Sequence, residues 1–420
     1  MKQSDRIAIV GAGIAGLTAA HLLSRRHHVT VYEAEDYAGG HAHTVNVEED
    51  GQVIPLDTGF LVYNRRNYPN FSRLLDQLGV ATQPSDMSFS FRDERTGFEY
   101  GAPGLGRLFA QPHNALRPRY WRMLGEVLRF YREAPRLLDA VEAEADLSLG
   151  EYLARGGYST MFVEQHLMPF AAAIWSAGRR GIGEFPARAL VRFFANHGLL
   201  TLRDRPQWRT ISGGSRSHVA RLAAPFRDRI RLRTPVLAVR RDETGAVITT
   251  AQAGEERFAR VVLACHPDQA LAMLTDPSPA EREVLGAFVY AANDVVLHSD
   301  RRLLPRRRAA WASWNAHRLA DVDDRVTLSY LLNLLQRPRC RRQYVVTLNR
   351  PDDVAPASIH GRYVYHHPQY DRAALAAQTR RDDIDGRRHT HYCGAYWGYG
   401  FHEDGVVSAL HVARKFGEEL

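Results

Sequence analysis

The chain opens with a predicted strand, a glycine-rich turn and a helix, and this unit constrains the fold more than any other stretch. The apolar run Ile7–Val10 has the pattern of a strand buried in a parallel sheet. It leads into the turn Gly11–Gly16, whose sequence GAGIAG precedes an Ala- and Leu-rich helix expected to extend to Arg25. In such a unit the first glycine makes a tight turn, the second lets the backbone approach a pyrophosphate, and the third lets the helix pack closely on the strand. The helix start then directs free N–H groups and its positive dipole end at the phosphates.

An acidic residue follows at the distance that a nucleotide-binding fold requires. A second strand is predicted over His28–Tyr32, and it ends at Glu33, 22 residues after Gly11. A carboxylate in this place hydrogen-bonds the ribose hydroxyls of a dinucleotide. A G-x-G-x-x-G run alone is weak evidence, because glycine-rich turns are common. The strand, the helix and the acid together predict a nucleotide-binding site.

Length and composition limit the class of protein. At 420 residues the chain is longer than one core usually supports, so two structural domains are expected. Its 45% hydrophobic and 24% charged residues are typical of a folded soluble protein. No apolar run is long enough to predict a membrane span, and the first strand begins too early for a signal peptide. Cys265, Cys340 and Cys393 are too far apart for a metal site or a disulfide framework, so we expect a cytoplasmic protein without a metal site.

The formal charge of +8 comes almost entirely from arginine, since Lys2 and Lys415 are the only lysines. Biased codon usage explains this excess, and so does attraction to anionic surfaces or substrates. The clusters at Arg306–Arg308 and Arg337–Arg342 suit both explanations. No zinc-finger, helix-turn-helix or RNA-recognition pattern occurs, so nucleic acid is not an expected partner.

Two segments after the second strand are suited to contact a cofactor. The loop Asp36–Thr44 contains glycines and hydrogen-bonding side chains and would run back over the nucleotide. A hairpin over Val45–Val47 and Val53–Leu56 then turns at an Asp-Gly pair. The short turn Asp57–Phe60 comes directly after this hairpin, where the backbone can meet a ring system.

The middle of the chain is predicted to be helical. Helices are expected over Tyr68–Ala81, Pro118–Val141, Leu147–Leu153 and Ser159–Phe170. The second of these carries many arginines, and it either packs on a second domain or lies on a membrane surface. The stretches Ala171–Ala177 and Ala189–Phe194 combine bulky and small apolar residues, which suits the lining of an apolar pocket.

The remaining pattern alternates strands and helices. After the turn Ile211–Ser215, a helix to Leu222 is expected. Strands are predicted over Ile230–Arg233, Val236–Arg240, Ala246–Ala251, Arg260–Cys265, Asp294–His298 and Tyr344–Leu348, the last two in the sheet of a second domain. The chain closes with the aromatic and glycine-rich run His391–Gly405 and a final helix over Val406–Phe416.

In this order of parts the chain resembles the flavin-dependent amine-oxidase superfamily. That superfamily includes monoamine and polyamine oxidases, phytoene-type desaturases, protoporphyrinogen oxidases and flavin-dependent fatty-acid isomerases. The resemblance spans the whole chain and rests on four short stretches: GAGIAG with Glu33, Gly39–His41, the small-residue strand end of Arg260–Cys265, and Gly394 with Asp404-Gly405. In the second stretch this chain has His41 where the family usually has Arg. Three further motifs are similar to a bacterial subgroup of FAD-binding proteins associated with cyclopropane and modified fatty-acid metabolism: Asp57–Phe60, Gln207–Arg209 and Gly398–Gly405.

The closing motif favours FAD over NAD. One fingerprint serves NAD, whereas the longer FAD needs a second surface for its ribityl chain and isoalloxazine ring. The strand, Gly394 and the helix start at Val406 supply that surface, with backbone N–H groups that favour the anionic reduced ring. Asp404 or Glu403 either bonds the ribityl hydroxyls or caps the helix. The expected cofactor contacts are Gly11, Gly13, Ile14, Ala15, Gly16, Glu33, Ala34, Gly39, Gly40, His41, Thr58, Gly59, Phe60, Val236, Cys265, Gly394, Glu403 and Asp404.

Residues beside these segments are the catalytic candidates. Tyr63, Trp208, Tyr399 and His402 are expected to line the flavin face, with His402, Trp208 and Tyr63 as the candidates for catalysis. His402 leads because imidazole titrates near neutral pH. It would act in acid–base or orienting work, or it would hydrogen-bond FAD or the loop backbone.

Two absences bear on the chemistry that the resemblance implies. Many amine oxidases of the superfamily hold a lysine through water near the reactive flavin nitrogen. Neither Lys2 nor Lys415 is placed to do so, which argues against an amine substrate. No cysteine stands in the Ser-Gly-Gly-Cys-Tyr setting associated with covalent flavin, so FAD is expected to be non-covalent.

The resemblance implies an α/β fold with a Rossmann-like FAD-binding domain and a discontinuous mixed α+β substrate domain. Residues 1–59, 211–278 and 388–420 are expected to form the first domain, and residues 60–210 and 279–387 the second. The expected partner is a small apolar substrate, a lipid or fatty-acyl compound, with peripheral contact at the inner membrane face left open. The expected function is hydride transfer to flavin that oxidises or desaturates this substrate. The alternatives are double-bond isomerisation without net redox change, amine oxidation, and flavin binding without turnover.

Overall fold

The computed structural model describes residues 4–139, 147–175, 179–320 and 326–420. Lys2 and residues 140–141, 176 and 177, which the predictions above include, lie outside the described residues. The strands are β1 Arg6–Val10, β2 His28–Tyr32, β3 Thr44–Glu49, β4 Gln52–Asp57, β5 Tyr63–Asn64, β6 Thr82–Pro84, β7 Phe89–Asp93, β8 Phe98–Ala102, β9 Trp208–Ile211, β10 Ile230–Arg231, β11 Val236–Asp242, β12 Gly245–Thr250, β13 Gly254–Phe258, β14 Arg260–Leu263, β15 Val289–His298, β16 Trp314–Arg318, β17 Val326–Leu331, β18 Val345–Leu348, β19 Ile359–Gln369 and β20 Thr390–Tyr392. The α-helices are α1 Ile14–Leu23, α2 Pro69–Gln77, α3 Leu105–Leu108, α4 Pro118–Glu133, α5 Leu149–Arg155, α6 Thr160–Phe162, α7 Met168–Trp175, α8 Arg179–Glu184, α9 Ala187–Asn196, α10 Arg216–Ala223, α11 Pro267–Met273, α12 Pro279–Gly286, α13 Leu332–Leu335, α14 Arg372–Gln378 and α15 His402–Lys415.

A parallel sheet in the order β10-β2-β1-β14-β20 contains the opening strand. β1 lies at its centre, where Ile9 pairs with Val31 on one side and Val262 on the other. These three side chains are fully buried. Parallel strands are usually covered on both faces, which accounts for their continuous apolar runs. This sheet confirms the predicted Rossmann-like α/β class.

A second, mixed sheet has the order β19-β15-β18-β17-β16-β7-β8. β16 and β7 run parallel, and every other neighbouring pair in this sheet is antiparallel. The long strands β15 and β19 pair with each other, and α7 packs on β16, β17 and β19. The predicted hairpin is β3 with β4, and a small sheet joins β5, β9 and β6.

Two predicted helices are shorter than the sequence pattern indicated. The helix predicted over Tyr68–Ala81 is the shorter α2, because Gly79 adopts a φ of +63° just beyond its end and residues 82–84 form β6. The helix predicted over Pro118–Val141 is α4 followed by a 3-10 turn, because Pro135 has no N–H to continue the α-helix.

The last helix begins earlier than predicted, at His402 and not at Val406. The Asp404 carboxylate accepts hydrogen bonds from the backbone N–H of Tyr399 at 3.0 Å and of Phe401 at 2.9 Å. An acid in the first turn stabilises a helix start by satisfying free N–H groups and by interacting with the dipole. Glu403, Asp404 and Gly405 of the closing motif are therefore part of α15 itself.

Helix α2 packs with the first sheet. Its Phe71, Leu74 and Leu75 belong to the same buried cluster as Ile7 and Ile9 of β1. Most apolar residues of α4 to α9 belong to another cluster together with the mixed sheet. The division of the chain into two domains, which assigns α2 to the substrate domain, stays a prediction. Among the described helices, none combines the length and apolarity that a membrane crossing needs.

Candidate functional site

Two helix starts meet beside the carboxyl end of β1. α1 begins after Gly13, and no side chain of the described residues caps it. α15 approaches so closely that a Cβ on its Gly405 would lie 2.8 Å from Cγ2 of Ile14 and 3.6 Å from the backbone nitrogen of Ala15. Both helices thus direct N–H groups and positive dipole ends toward one region, which suits an anionic or electron-rich ligand.

The three glycines of the opening turn occupy different surroundings. Gly11 has a φ of +104°, and a Cβ there would lie 2.7 Å from the carbonyl oxygen of Ala264. A Cβ on Gly16 would overlap the carbonyl oxygen of Gly11, so this glycine permits close packing of α1. A Cβ on Gly13 would meet no atom within 4 Å. The space above Gly13 is therefore open, as the approach of a pyrophosphate to the backbone requires.

The Gly39-Gly40-His41 segment lies directly against the opening turn. The N–H of Gly39 donates to the carbonyl of Ala12 at 2.8 Å. A Cβ on Gly40, whose φ is +56°, would lie 3.2 Å from the Cα of Gly13. The two glycine-rich segments form one backbone cradle because neither carries side chains at this contact.

Glu33 follows β2 directly and lies at the edge of this cradle. Its carboxylate accepts hydrogen bonds from the N–H of Ala12 at 2.8 Å and of Glu35 at 3.0 Å, while burial raises the pKa of the carboxyl. The neighbouring Ala34 is exposed, and Val236 begins β11 nearby, since Thr234 donates its N–H to the carbonyl of Glu33. Glu33 therefore fixes the turn and presents a carboxylate beside it.

The turn Asp57–Phe60 is anchored by its buried acid. The carboxylate of Asp57 accepts from the N–H and hydroxyl of Ser215 at 2.7 to 3.0 Å, and burial raises the pKa of Asp57 to about 6. The hydroxyls of Thr58 and Tyr365 lie 2.5 Å apart. A Cβ on Gly59 would overlap the carbonyl of His41, so this turn and the Gly39-Gly40 loop are in backbone contact.

His402 lies in a buried aromatic group that also contains Phe60, Phe71 and His218. Its ring stacks on Phe60 with centroids 3.6 Å apart and lies 5.9 Å from the ring of His218. Burial lowers the pKa of His402 well below its usual value and that of His218 to about 3. The expectation that His402 titrates near neutral pH is therefore wrong. Its Nε2 and both ring nitrogens of His218 have no hydrogen-bond partner in the part of the chain that the structure describes.

The two acids of the closing motif accept hydrogen bonds from other residues of the protein. Glu403 accepts hydrogen bonds from the N–H and amide side chain of Asn70 at 3.1 and 2.7 Å and from the N–H of Phe71 at 2.8 Å, so it caps the start of α2. Burial raises the pKa of Asp404, which bonds the backbone of its own turn, to about 6. Gly394 donates its N–H to the hydroxyl of Ser408, and a Cβ there would overlap the ring of Tyr396. The contacts of these residues with a cofactor stay predictions.

The structure divides the four residues predicted to line the flavin face between two aromatic groups. Tyr63 joins the group of His402, with ring centroids 5.4 Å from Phe71. Trp208 and Tyr399 lie in a second group formed with Phe193, His197 and Phe401. Tyr68 bridges the two groups, at 6.2 Å from Tyr63 and 6.5 Å from His197.

Strand β19 supplies residues that the sequence patterns did not single out. Tyr363, Tyr365 and His367 alternate along the strand, and the ring centroid of His367 lies 5.3 Å from that of His41. Asn293 of β15 hydrogen-bonds Nδ1 of His367 at 3.1 Å. A period of two in aromatic and histidine residues was the available signal. Burial lowers the pKa of His41 to about 3 and that of His367 to about 4, so this wall of the site is polar but uncharged.

These features fit a flavin dinucleotide. The open space over Gly13, the uncapped start of α1 and the carboxylate of Glu33 suit the diphosphate and ribose. The Asp57–Phe60 turn suits a polar ring edge, and so does Nε2 of His41, which has no hydrogen-bond partner among the described residues. Cys265 follows β14 nearby, and burial raises the pKa of its thiol to about 12.

Comparison with known proteins agrees with this assignment. The family model described as flavin containing amine oxidoreductase matches residues 14–415. The chain is 26% identical over 279 residues to the "Putative flavin-containing monoamine oxidase AofH" of Mycobacterium tuberculosis, a match that covers 64% of this chain and 59% of that relative. The chain therefore spans less than two thirds of the relative's length.

Solved structures of similar fold cover nearly the whole chain. Putrescine oxidase bound to putrescine matches with a TM-score of 0.69 and 18% identity over 99% of each chain. The CLA-producing fatty acid isomerase from P. acnes matches with a TM-score of 0.67 and 17% identity over 99% of this chain and 100% of that one. At these identities the likeness establishes the two-domain fold alone.

Proposed function

Because the chain belongs to the flavin-containing amine oxidoreductase family, we propose that it binds FAD non-covalently and oxidises or desaturates an apolar, fatty-acyl substrate. Bound flavin supplies a two-electron acceptor. The backbone cradle of Gly13 and Gly40, the start of α1 and Glu33 would hold the dinucleotide, and the Asp57–Phe60 turn would orient the ring.

One observation carries the choice of an apolar substrate. Aromatic rings form a continuous series of contacts from Tyr399, just before α15, to Phe89 on the mixed sheet. The contacts pass through Phe193, Phe194 and Phe170, with centroids 5.1 to 6.3 Å apart. Phe89, Phe193 and Phe194 are themselves buried, and we propose that they line the path of an acyl chain, because phenyl rings carry no polar groups that would require pairing.

The placement of Lys415 supports the argument against an amine substrate. Lys415 ends α15, and its Nζ lies 2.6 Å from a carboxylate oxygen of Asp385. It lies thirteen positions after His402 along the helix, a distance of about 20 Å. This ion pair holds the ammonium group away from the aromatic groups of the site.

Thiol chemistry supports non-covalent binding. Burial raises the pKa of both Cys265 and Cys393 to about 12, so both are protonated near neutral pH. A thiol in that state is a poor nucleophile for a covalent link to a flavin.

A fatty-acid double-bond isomerase is the second candidate. The buried rings of His402 and His218 are neutral, and a reaction that removes and returns the same hydride needs no side chain that gains or loses a proton. The fold likeness to the fatty acid isomerase from P. acnes is consistent with this alternative.

Anaerobic incubation with a panel of unsaturated, cyclopropane and branched fatty-acyl lipids tests the proposal, with putrescine and other amines as controls. Flavin absorbance and product masses are followed together. Loss of flavin absorbance with a product two hydrogens lighter supports desaturation, while a product of unchanged mass supports isomerisation. Reduction by amines alone overturns the lipid assignment, and a protein that takes up no FAD overturns the flavoenzyme assignment.

A further inference from the structure

A cavity of about 870 Å³ lies outside the candidate cofactor site. It opens where β15 ends, near Ser299, and Ser358 just before β19 also lines it. Asn293, which hydrogen-bonds the His367 ring beside His41, lies six residues earlier along β15. Six residues of extended strand span about 20 Å. The cavity is therefore separate from the backbone cradle at Gly13.

Arginine dominates the lining of this cavity. Six arginines contribute to it: Arg92, Arg301, Arg302, Arg306, Arg308 and Arg341. Asp300 is the acid that lines it, and its carboxylate is bound by the Arg302 guanidinium at 2.6 to 3.1 Å. Arg341 pairs with the exposed Asp50 at 3.3 Å.

Three of these arginines have no acidic partner among the described residues. Arg301, Arg306 and Arg308 have no carboxylate within 4 Å among the described residues. The Arg308 guanidinium lies over the ring of Trp311, 5.7 Å from its centroid. Several like charges around one cavity repel each other, and an anion that enters the cavity reduces this repulsion.

Among the residues that line the cavity, Arg92 is a buried cation. Arg92 is 9% exposed, and its guanidinium has Glu94 and Glu99 at 3.5 and 3.6 Å. Burial nevertheless lowers its pKa, which means that these acids do not fully compensate the desolvated charge. An anion bound in the cavity beside Arg92 would balance the rest of this positive charge.

The loop that carries the arginines is held by hydrogen bonds. Glu99 accepts from the N–H of Arg306 at 2.8 Å and of Arg307 at 3.0 Å. Asp300 accepts from the N–H of Arg302 and of Ala355, both at 3.0 Å. These bonds fix the backbone from which the arginine side chains extend before any ligand arrives, so the loop itself does not have to be ordered on binding.

We propose that this cavity binds a small molecule carrying two or more phosphate groups. Guanidinium forks match phosphate oxygens in paired hydrogen bonds, and several forks around one space favour several phosphates. The serine hydroxyls of Ser299 and Ser358 offer further donors. The volume falls within the roughly 300 to 1,000 Å³ of small-molecule sites and exceeds the need of a single inorganic ion.

Calorimetric titration of the flavin-loaded protein with pyrophosphate tests the proposal, with inorganic phosphate and phosphatidic-acid vesicles as separate arms. We expect saturable 1:1 binding of pyrophosphate that is tighter than that of phosphate. The Arg306→Gln/Arg308→Gln double variant should lose at least tenfold in affinity. The Arg337→Gln/Arg339→Gln variant removes the same charge outside the cavity and should bind as the parent does.

A Gly13→Val variant separates this site from the dinucleotide cradle, since pyrophosphate binding should persist there even without flavin. Loss of binding in that variant, equal loss in both arginine pairs, or binding of vesicles without binding of pyrophosphate would each overturn the proposal.

Discussion

The two helix starts that meet at the candidate cofactor site differ in the acidic residues of their first turns. α1 follows Gly13 with no acid in its first turn and no capping side chain among the described residues. α15 carries Glu403 and Asp404 in its first turn, and both accept hydrogen bonds from backbone N–H groups of the protein. The start of α1 therefore has no acid beside its N–H donors, whereas the acids of α15 bind N–H groups of α2 and of the turn before α15.

This difference indicates which part of a dinucleotide each start can accept. An uncapped start without acids favours a diphosphate, because free N–H groups and the dipole both attract it. Two carboxylates at the second start oppose a full negative charge there. We expect α15 to face a polar but weakly charged group, and the following changes test the contrast.

The largest effect is expected at Gly13. A Gly13→Val side chain would fill the open space over α1, so flavin affinity should fall by at least about a hundredfold through steric exclusion. Flavin content after purification and reconstitution measures this. Gly125→Val is the matched control, because a Cβ there also meets no atom within 4 Å, and Gly125 lies at an exposed position of α4 away from the cradle. Equal flavin content in both variants would contradict the role of the cradle.

Glu403→Ala should mainly destabilise the protein. Three hydrogen bonds to the start of α2 are lost, and the cost is about 2 kcal/mol of unfolding free energy. Chemical denaturation of the flavin-free protein measures it, and Glu403→Gln should lose less because an acceptor oxygen remains. A variant as stable as the parent would show that this cap contributes nothing.

Asp404 should make stability depend on pH. Burial raises its pKa to about 6, above the roughly 3.9 of an unfolded Asp, so its contribution is fully present below about pH 4 and is lost as pH rises through 6. Asp404→Asn removes this loss, and its stability relative to the parent should improve by about 1 to 2 kcal/mol between pH 4.5 and 7. Denaturation curves at both pH values measure the difference. A constant difference would place the Asp404 pKa near its ordinary value.

The smallest effect is expected at His402. Because burial keeps its ring neutral, His402→Gln should retain flavin and reduce turnover only several-fold, without moving any inflection of the pH–rate profile. Turnover measured from pH 5 to 9 in parent and variant tests this. Loss of an inflection in the variant would restore an acid–base role for the imidazole.

Local patterns predicted the opening unit and the hairpin well. Gly11 and Gly16 are constrained by contacts within the strand, turn and helix that carry them and with the adjacent β14, so sequence spacing was sufficient. Helix ends were less predictable. Gly79 and Pro135 ended or changed helices that apolar periodicity had extended, and Asp404 started α15 four residues early.

The sequence by itself determined the parallel core, the glycine cradle and the family to which the chain belongs, because strand periodicity and the steric demands of glycine are local. The tertiary structure decided the rest. Glu403 caps α2 across 333 residues of sequence, and His402 is neutral because Phe60, Phe71 and His218 surround it. Hydrogen-bond partners and protonation depend on burial by distant segments, and a linear pattern does not specify which segments those are.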